Sequence, residues 1–163
     1  MEQGERFLVL LRHGIAEDRT ADKQDAEREL TDDGHRRMKE IARGLARLLP
    51  KAETIVSSPL RRCLQTSEWV ARAYDHALPV ETSPALAPDS DSERFRELLA
   101  TVTARRVILV GHEPTLTEFM LALTGMHAGD ALELSKGGCY GIRTGAGGTA
   151  RLEWMLPPRA MRR

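Results

Sequence analysis

The sequence predicts an α/β protein, a three-layer α/β/α sandwich with a mostly parallel sheet and a C-terminal hairpin that adds antiparallel edge pairing. Two continuous apolar runs, 7–11 and 107–110, are typical of strands buried on both faces. Helical and strand-like segments alternate, which favours a parallel sheet covered on both sides. A glycine-rich turn at 145–148 separates two final strand-like segments and predicts the hairpin. With 163 residues, no internal repeat and no linker, the chain (1–163) reads as a single domain.

The first half of the chain contains a long polar segment between two regular ones. Residues 17–33 show no periodicity and predict a loop. Apolar residues then recur at helical spacing from Met38 to Leu48, and Pro50 ends this helix. After a short strand at 54–56, Ser58 and Pro59 are expected to open a second helix that runs to about residue 74, with Ser58 as its N-cap.

The second half continues the alternation. Its predicted elements are an edge strand at 78–81, a helix at 92–102, the strand at 107–110, a helix at 115–124 that ends at Gly125, and hairpin strands at 139–143 and 149–155.

Composition excludes several classes of partner. Lysine plus arginine and aspartate plus glutamate both number 24, so no basic excess predicts nucleic-acid binding. The apolar stretch near the N-terminus, 7–11, is too short for a signal peptide or a membrane span, so we expect a cytoplasmic protein without membrane contacts. Cys63 and Cys139 form no paired motif and are expected to be structural thiols.

Polar residues that suit phosphate chemistry follow three predicted strands. Arg12, His13 and Gly14 follow the first strand, Ser58 and Arg61-Arg62 the second, and Gly111-His112 the strand at 107–110. The carboxyl ends of parallel strands share one edge of the sheet, so these residues are expected to converge. A helix N-terminus with an arginine favours anions, but helical geometry does not decide whether Arg61 or Arg62 faces the edge.

The remaining histidines and the motif content are less informative. His35, His76 and His127 lie in polar settings and are expected at the surface. The chain contains neither a phosphate-binding G-x-x-x-x-G-K-[ST] loop nor an H-E-x-x-H or paired-cysteine zinc motif, so we expect no metal and no cofactor.

These motifs together resemble the histidine phosphatase superfamily, the phosphoglycerate mutase-like group. The matching segments are Arg12-His13-Gly14, Leu30-Thr31-x-x-Gly34, Ser58-x-x-x-Arg62-x-x-x-Thr66 and Gly111-His112, in family order. The short chain and the segment 58–66 resemble the SixA-type phosphohistidine phosphatases. The resemblance implies a metal-independent phosphatase in which His13 is the phosphorylated nucleophile, while Arg12, Arg62 and His112 bind the phosphoryl oxygens. It selects Arg62 over Arg61.

Additional expectations concern the substrate. Gly14, Ser58 and Glu17 are expected to contact it, and His112 is expected to hold a positive charge while His13 stays neutral. The segment between Arg62 and residue 107 looks too short for the insertion that carries an acidic proton donor in mutases and many larger family members. Imidazole can leave as a neutral base without such an acid, which favours a phosphohistidine-bearing protein as substrate.

Three alternatives remain open. The protein could be a small-molecule phosphomonoesterase of the same superfamily, or a non-catalytic phosphate-binding module on the same fold. A third alternative is a metal hydrolase that uses His13 and His112 with Glu17 or Glu113.

Overall fold

The computed structural model describes residues 4–128 and 131–163. Within this part of the chain, six strands form one mixed sheet in the order β3-β2-β4-β1-β5-β6. The strands are β1 (Arg6–Arg12), β2 (Thr54–Ser57), β3 (Val80–Thr82), β4 (Arg106–Gly111), β5 (Cys139–Thr144) and β6 (Ala150–Leu156). The pairs among β1 to β4 are parallel, and β5 and β6 add antiparallel pairing at the β1 side. The predicted fold class is confirmed.

Helices cover both faces of the sheet. They are α1 (Asp32–Leu48), α2 (Arg61–Ala73), α3 (Ser92–Thr101), α4 (Thr115–Thr124) and the short α5 (Pro158–Met161). One core cluster contains side chains from α1, α2 and α5, and the other contains side chains from α3 and α4. The two clusters lie on opposite sides of the sheet, which gives the three layers.

The central strand β1 contributes to both clusters. Val9 and Leu11 pack with the first, Leu8 and Leu10 with the second, and all four are 0% exposed. Side chains alternate between the faces of a strand, so a strand with both faces covered needs an uninterrupted apolar run. This explains why the run at 7–11 predicted a buried strand correctly.

The parallel pairing of β1 with β4 aligns the ends of these strands. Arg12 lies opposite Gly111, and the N–H of His13 donates to the Gly111 carbonyl oxygen at 3.1 Å. His13 and His112, 99 positions apart in the sequence, are therefore neighbours at one edge of the sheet.

Two helix starts differ from the sequence-based prediction. Helix α1 begins at Asp32, several residues before the apolar periodicity, because the Thr31 side chain accepts the Gly34 N–H at 2.9 Å and caps the helix. Helix α2 begins at Arg61, and Ser58 is not its N-cap. The Ser58 N–H still donates to the Val110 carbonyl oxygen at 2.9 Å, so the chain remains extended there.

Within residues 4–128 and 131–163, none of the helices has the length and apolar character needed to cross a membrane.

Candidate active site

His13 is held with one ring nitrogen toward the backbone and the other toward an arginine. It follows β1 directly and is 6% exposed. Its Nδ1 lies 2.7 Å from the Gly14 carbonyl oxygen, which can only accept, so Nδ1 carries the proton. Its Nε2 accepts from Nε of Arg62 at 3.3 Å and therefore bears the lone pair. This is the tautomer that a nucleophilic Nε2 requires.

His112 presents the opposite tautomer. Its ring centroid lies 5.3 Å from that of His13, with the ring planes inclined at 60°. One terminal nitrogen of Arg62, Nη2, lies 3.3 Å from Nδ1 of His112, and a guanidinium can only donate. The proton of His112 is thus assigned to Nε2, which lies 2.8 Å from the Ser58 hydroxyl oxygen.

Arg62 joins the two histidines, whereas Arg61 does not take part. Arg62 is 2% exposed, and its Nε–Nη2 edge faces both rings. Arg61 is exposed and pairs with Glu29 at 3.0 Å. The helix therefore turns the second arginine of the pair toward the edge of the sheet.

The loop before α1 contributes residues that the sequence did not single out. Asp25 lies in a short 3₁₀ turn, Asp25–Glu27. Its carbonyl oxygen accepts from Nη1 of Arg62 at 2.8 Å, and its carboxylate accepts from Nη2 at 3.2 Å. Arg28 donates to the other carboxylate oxygen at 2.9 Å. The acidic stretch holds several similar carboxylates, so spacing alone did not distinguish Asp25 from its neighbours.

Thr66 and Cys63, on the inner face of α2, complete the surroundings of the histidines. The Thr66 hydroxyl accepts the Gly14 N–H at 3.1 Å and donates to the Arg62 carbonyl oxygen at 2.8 Å. The Cys63 sulfur lies 3.4 Å from Nε2 of His112. Burial raises the pKa of Cys63 to about 12, so the thiol is protonated at neutral pH.

Both site histidines are neutral at physiological pH. Burial, with a further contribution from the Arg62 charge, lowers the pKa of His13 to about 3. Burial, the nearby His13 and Arg62 likewise lower the pKa of His112 to about 3. The physical reason is that a protonated ring would lie in a poorly hydrated space beside a guanidinium. The expected positive charge of His112 concerns the step in which a phosphoryl group lies beside the ring, and it stays a prediction.

Arg12 lies beside the histidines but bonds to another loop. Its Nη1 donates to the Leu134 carbonyl oxygen and lies 3.7 Å from a carboxylate oxygen of Glu133. Its Nε is buried and has no hydrogen-bond partner among residues 4–128 and 131–163. Its contact with phosphoryl oxygens remains a prediction.

The predicted substrate contacts of Gly14 and Ser58 also remain predictions. The structure shows what else these positions do. The Gly14 N–H is occupied by Thr66, and a Cβ at Gly14 would lie 2.5 Å from Cγ of Met38. The Ser58 hydroxyl contacts His112.

The acidic candidates occupy different environments. Glu17 pairs with Lys23 at 2.9 Å, and this hydrogen bond lowers the pKa of its carboxyl group, which is unfavourable for a proton donor. Glu113 is half-buried, and burial raises the pKa of its carboxyl group.

The histidines outside the site are not all at the surface. His76 and His127 are exposed, as predicted. His35 is half-buried and accepts from the Trp69 indole N–H at 3.0 Å, so its surface assignment is wrong. The helical phase of α1 turns this ring toward α2.

Within the part of the chain that the structure describes, no three histidine, cysteine, aspartate or glutamate side chains come together in an arrangement that could hold a metal ion.

The low pKa values of His13 and His112 can be tested by NMR. The rings of His13 and His112 should keep the chemical shifts of the neutral form from pH 8 to pH 5. A lowered pKa keeps the lone pairs free throughout this interval, and the ¹⁵N shifts should report Nδ1–H for His13 and Nε2–H for His112. Single His→Gln variants assign the signals, with His76→Gln as the surface control. A titration midpoint above pH 5.5 for either ring would contradict the assignment.

Comparisons with known proteins relate this chain to a family. Residues 8–87 match the histidine phosphatase superfamily (branch 1). An uncharacterized protein of Picosynechococcus sp. is 37% identical over 142 residues, which cover 85% of this chain and 86% of the relative.

Solved structures of SixA proteins have the same fold. A candidate phosphohistidine phosphatase SixA from Agrobacterium tumefaciens is 27% identical with a TM-score of 0.81, covering 94% of this chain and 98% of its own. Another candidate SixA, from Nakamurella multipartitia, is 26% identical with a TM-score of 0.78, and the match covers 97% of this chain and 99% of that protein. A SixA protein histidine phosphatase complexed with tungstate is 21% identical with a TM-score of 0.82, and the match covers 94% of this chain and 98% of that protein. At this identity the likeness shows the fold alone. The matched family segment contains His13 and Arg62. Together with the similar SixA structures, this match supports a phosphatase: the chain belongs to the histidine phosphatase superfamily and is of its SixA type.

Proposed function

We propose that the protein is a metal-independent protein phosphohistidine phosphatase that works through a phosphorylated His13. The observation that carries the proposal is the neutral His13 ring, whose Nε2 lone pair faces Arg62 while Nδ1–H is anchored at 2.7 Å on the Gly14 carbonyl oxygen. A nucleophile needs an unprotonated lone pair, and a transferred phosphoryl group needs a fixed cation beside it. A SixA protein of the same fold has been solved in complex with tungstate, which makes this oxyanion a suitable probe for the site.

In the proposed reaction the phosphoryl group moves from one imidazole to another. The Nε2 lone pair of His13 forms the new P–N bond, and the electron pair of the substrate P–N bond returns to the leaving imidazole. This ring leaves as a neutral base because its other nitrogen is protonated. Phosphorylated His13 carries its positive charge on the ring, with Nδ1–H still donating to the Gly14 carbonyl oxygen.

Water then attacks phosphorus, and the bond between phosphorus and Nε2 breaks. Neutral His13 and inorganic phosphate are released, and the phosphate takes up the oxygen and the protons of the water. Arg62 stabilises the oxygens in both steps, because its charge lies next to the reacting nitrogen. A phosphoryl group bound beside His112 favours the protonated ring, since a nearby negative charge raises the pKa of a histidine. His112 would thus gain its charge only with substrate present.

A second candidate function is a small-molecule phosphomonoesterase, which Glu113 favours. Alcohol phosphates need an acid to protonate the leaving oxygen. Glu113 directly follows His112, accepts from Thr117 at 3.0 Å, and has its pKa raised by burial. A carboxyl group whose pKa is raised by burial is suited to act as a general acid.

The nucleophile is tested by trapping. His13→Ala should lower turnover by at least about a hundredfold, because covalent catalysis is lost when its nucleophile is removed. Wild-type protein quenched during turnover of labelled substrate should carry acid-labile, base-stable phosphate on His13. His76→Ala, an exposed histidine, is the matched control. Since His13 is buried, a melting curve must show that the variant is folded. A folded His13→Ala variant that retains more than a few per cent of the activity would contradict the assignment.

The arginine pair provides an internal comparison. Arg62→Ala should lower kcat by about 10²- to 10³-fold, the usual loss when a group that stabilises transition-state charge is removed. Arg61→Ala removes the same charge from the adjacent position but breaks only an exposed ion pair, so its loss should stay within about twofold. Steady-state kinetics measures both. Equal losses at the two positions would show that burial of Arg62 does not reflect a role in the reaction.

The substrate class is tested by comparing kcat/KM for a phosphohistidine protein, p-nitrophenyl phosphate and a sugar phosphate, all with EDTA present. The first two should be preferred because their leaving groups need little or no protonation. Glu113→Gln should leave their turnover largely unchanged. The highest kcat/KM on the sugar phosphate, lost in Glu113→Gln, would instead establish the phosphomonoesterase. Loss of all activity in EDTA would contradict metal independence.

A further inference from the structure

We infer that Asp25 is a positioning residue, which holds the Arg62 guanidinium with its Nε–Nη2 edge toward the histidine pair. The inference deepens the proposed function and rests on it for the identity of the oxyanion, but not for the geometry. No motif in the sequence marks this carboxylate.

The contacts of Arg62 divide between two edges of its guanidinium group. On the inner side, Nε reaches His13 at 3.3 Å and Nη2 reaches His112 at 3.3 Å. On the outer side, Nη1 donates to the Asp25 carbonyl oxygen at 2.8 Å and Nη2 donates to the Asp25 carboxylate at 3.2 Å. One residue of the loop thus bonds both terminal nitrogens, through its backbone and its side chain.

Asp25 is itself held by a second set of contacts. Its other carboxylate oxygen accepts from Nε of Arg28 at 2.9 Å and lies 3.4 Å from Nε of Arg19. Arg28 is largely buried and also donates to the Glu17 carbonyl oxygen at 2.6 Å. The two carboxylate oxygens therefore serve different partners, and the loop backbone anchors the carboxylate that orients Arg62.

The charges give this arrangement a physical reason. The Arg62 side chain is 3% exposed, and a buried cation without a counter-charge is strongly unfavourable. The neighbouring histidines are neutral and can only accept hydrogen bonds from it. Asp25 supplies a negative charge on the side away from the histidines, so the guanidinium can be buried and still direct one donor toward the reacting nitrogen of His13 and another toward His112.

An alternative use of the same contacts predicts the opposite effect. The Asp25 carboxylate could occupy the place of a phosphoryl group and leave when substrate binds. Its removal would then strengthen oxyanion binding, whereas removal of a positioning residue weakens it. The sign of the change separates the two.

The test compares Asp25→Ala with Asp22→Ala, a matched control that removes the same charge from an exposed position of the same loop. Tungstate binding is measured by isothermal titration calorimetry, so it needs no turnover. We expect Asp25→Ala to weaken binding and to lower kcat by about 10- to 100-fold, the loss that follows when an oriented group loses its support. Asp22→Ala should change neither by more than about twofold.

A double-mutant cycle shows whether Asp25 acts through Arg62. In the Arg62→Ala background, Asp25→Ala should change tungstate affinity by less than about twofold, because the group that it orients is absent. A purely structural role would instead give the same loss in both backgrounds and would overturn the inference. Asp25→Asn retains the acceptor without the charge, and it should show a smaller loss in the same direction even if Asp25→Ala does not fold.

Unchanged or tighter tungstate binding by folded Asp25 variants would also overturn the inference. Failure of the proposed function would look different. Tungstate would still bind, and the Asp25 variants would still lower the affinity for tungstate, but no phosphorylated compound would be turned over.

Discussion

A single buried cation determines how this site is arranged. Arg62 is 2% exposed, and its guanidinium contacts His13 and His112 on one side and Asp25 on the other. A charge in this position is tolerated only with a counter-charge and with its donors bonded. The same charge, together with burial, keeps the two imidazoles neutral. The cation, its counterion and the neutral rings are thus mutually dependent, and together they leave a nucleophilic lone pair beside a fixed positive charge.

The sheet makes this arrangement possible. The register of β1 with β4 brings together histidines that are far apart in the sequence, and α2 then places Arg62 within reach of both. The loop after His13 packs tightly against the start of α1: a Cβ at Gly34 would lie 2.0 Å from the Ile15 carbonyl oxygen. This close approach, with the Thr31 cap, holds the polar loop that carries Asp25 between two regular elements.

In the proposed reaction, the nucleophile and the leaving group are chemically alike. Transfer between two imidazoles needs little help from a general acid, so positioning and charge are the main requirements. The described site supplies these through Arg62 and the fixed tautomer of His13. An ester substrate would need an acid that protonates the leaving oxygen. The half-buried Glu113 suits this role, because burial raises the pKa of its carboxyl group.

The sequence by itself determined the layers of the fold and the edge at which the histidines meet. Strands buried on both faces need continuous apolar runs, and the carboxyl ends of parallel strands share one edge, so 7–11 and 107–110 placed His13 and His112 together. Helix starts were predicted less well. The Thr31 cap is a hydrogen bond that apolar periodicity does not register, and the hydroxyl of Ser58, predicted as an N-cap, contacts His112 instead.

The tertiary structure decided which polar groups act together. Neighbouring arginines on a helix differ only in the direction in which they point, so packing of α2 against the sheet was needed to bury Arg62 and expose Arg61. The choice of Asp25 among several carboxylates depended on where the loop crosses α2. The neutral state of His112 followed from burial beside a cation, a property of the assembled site that local sequence does not encode.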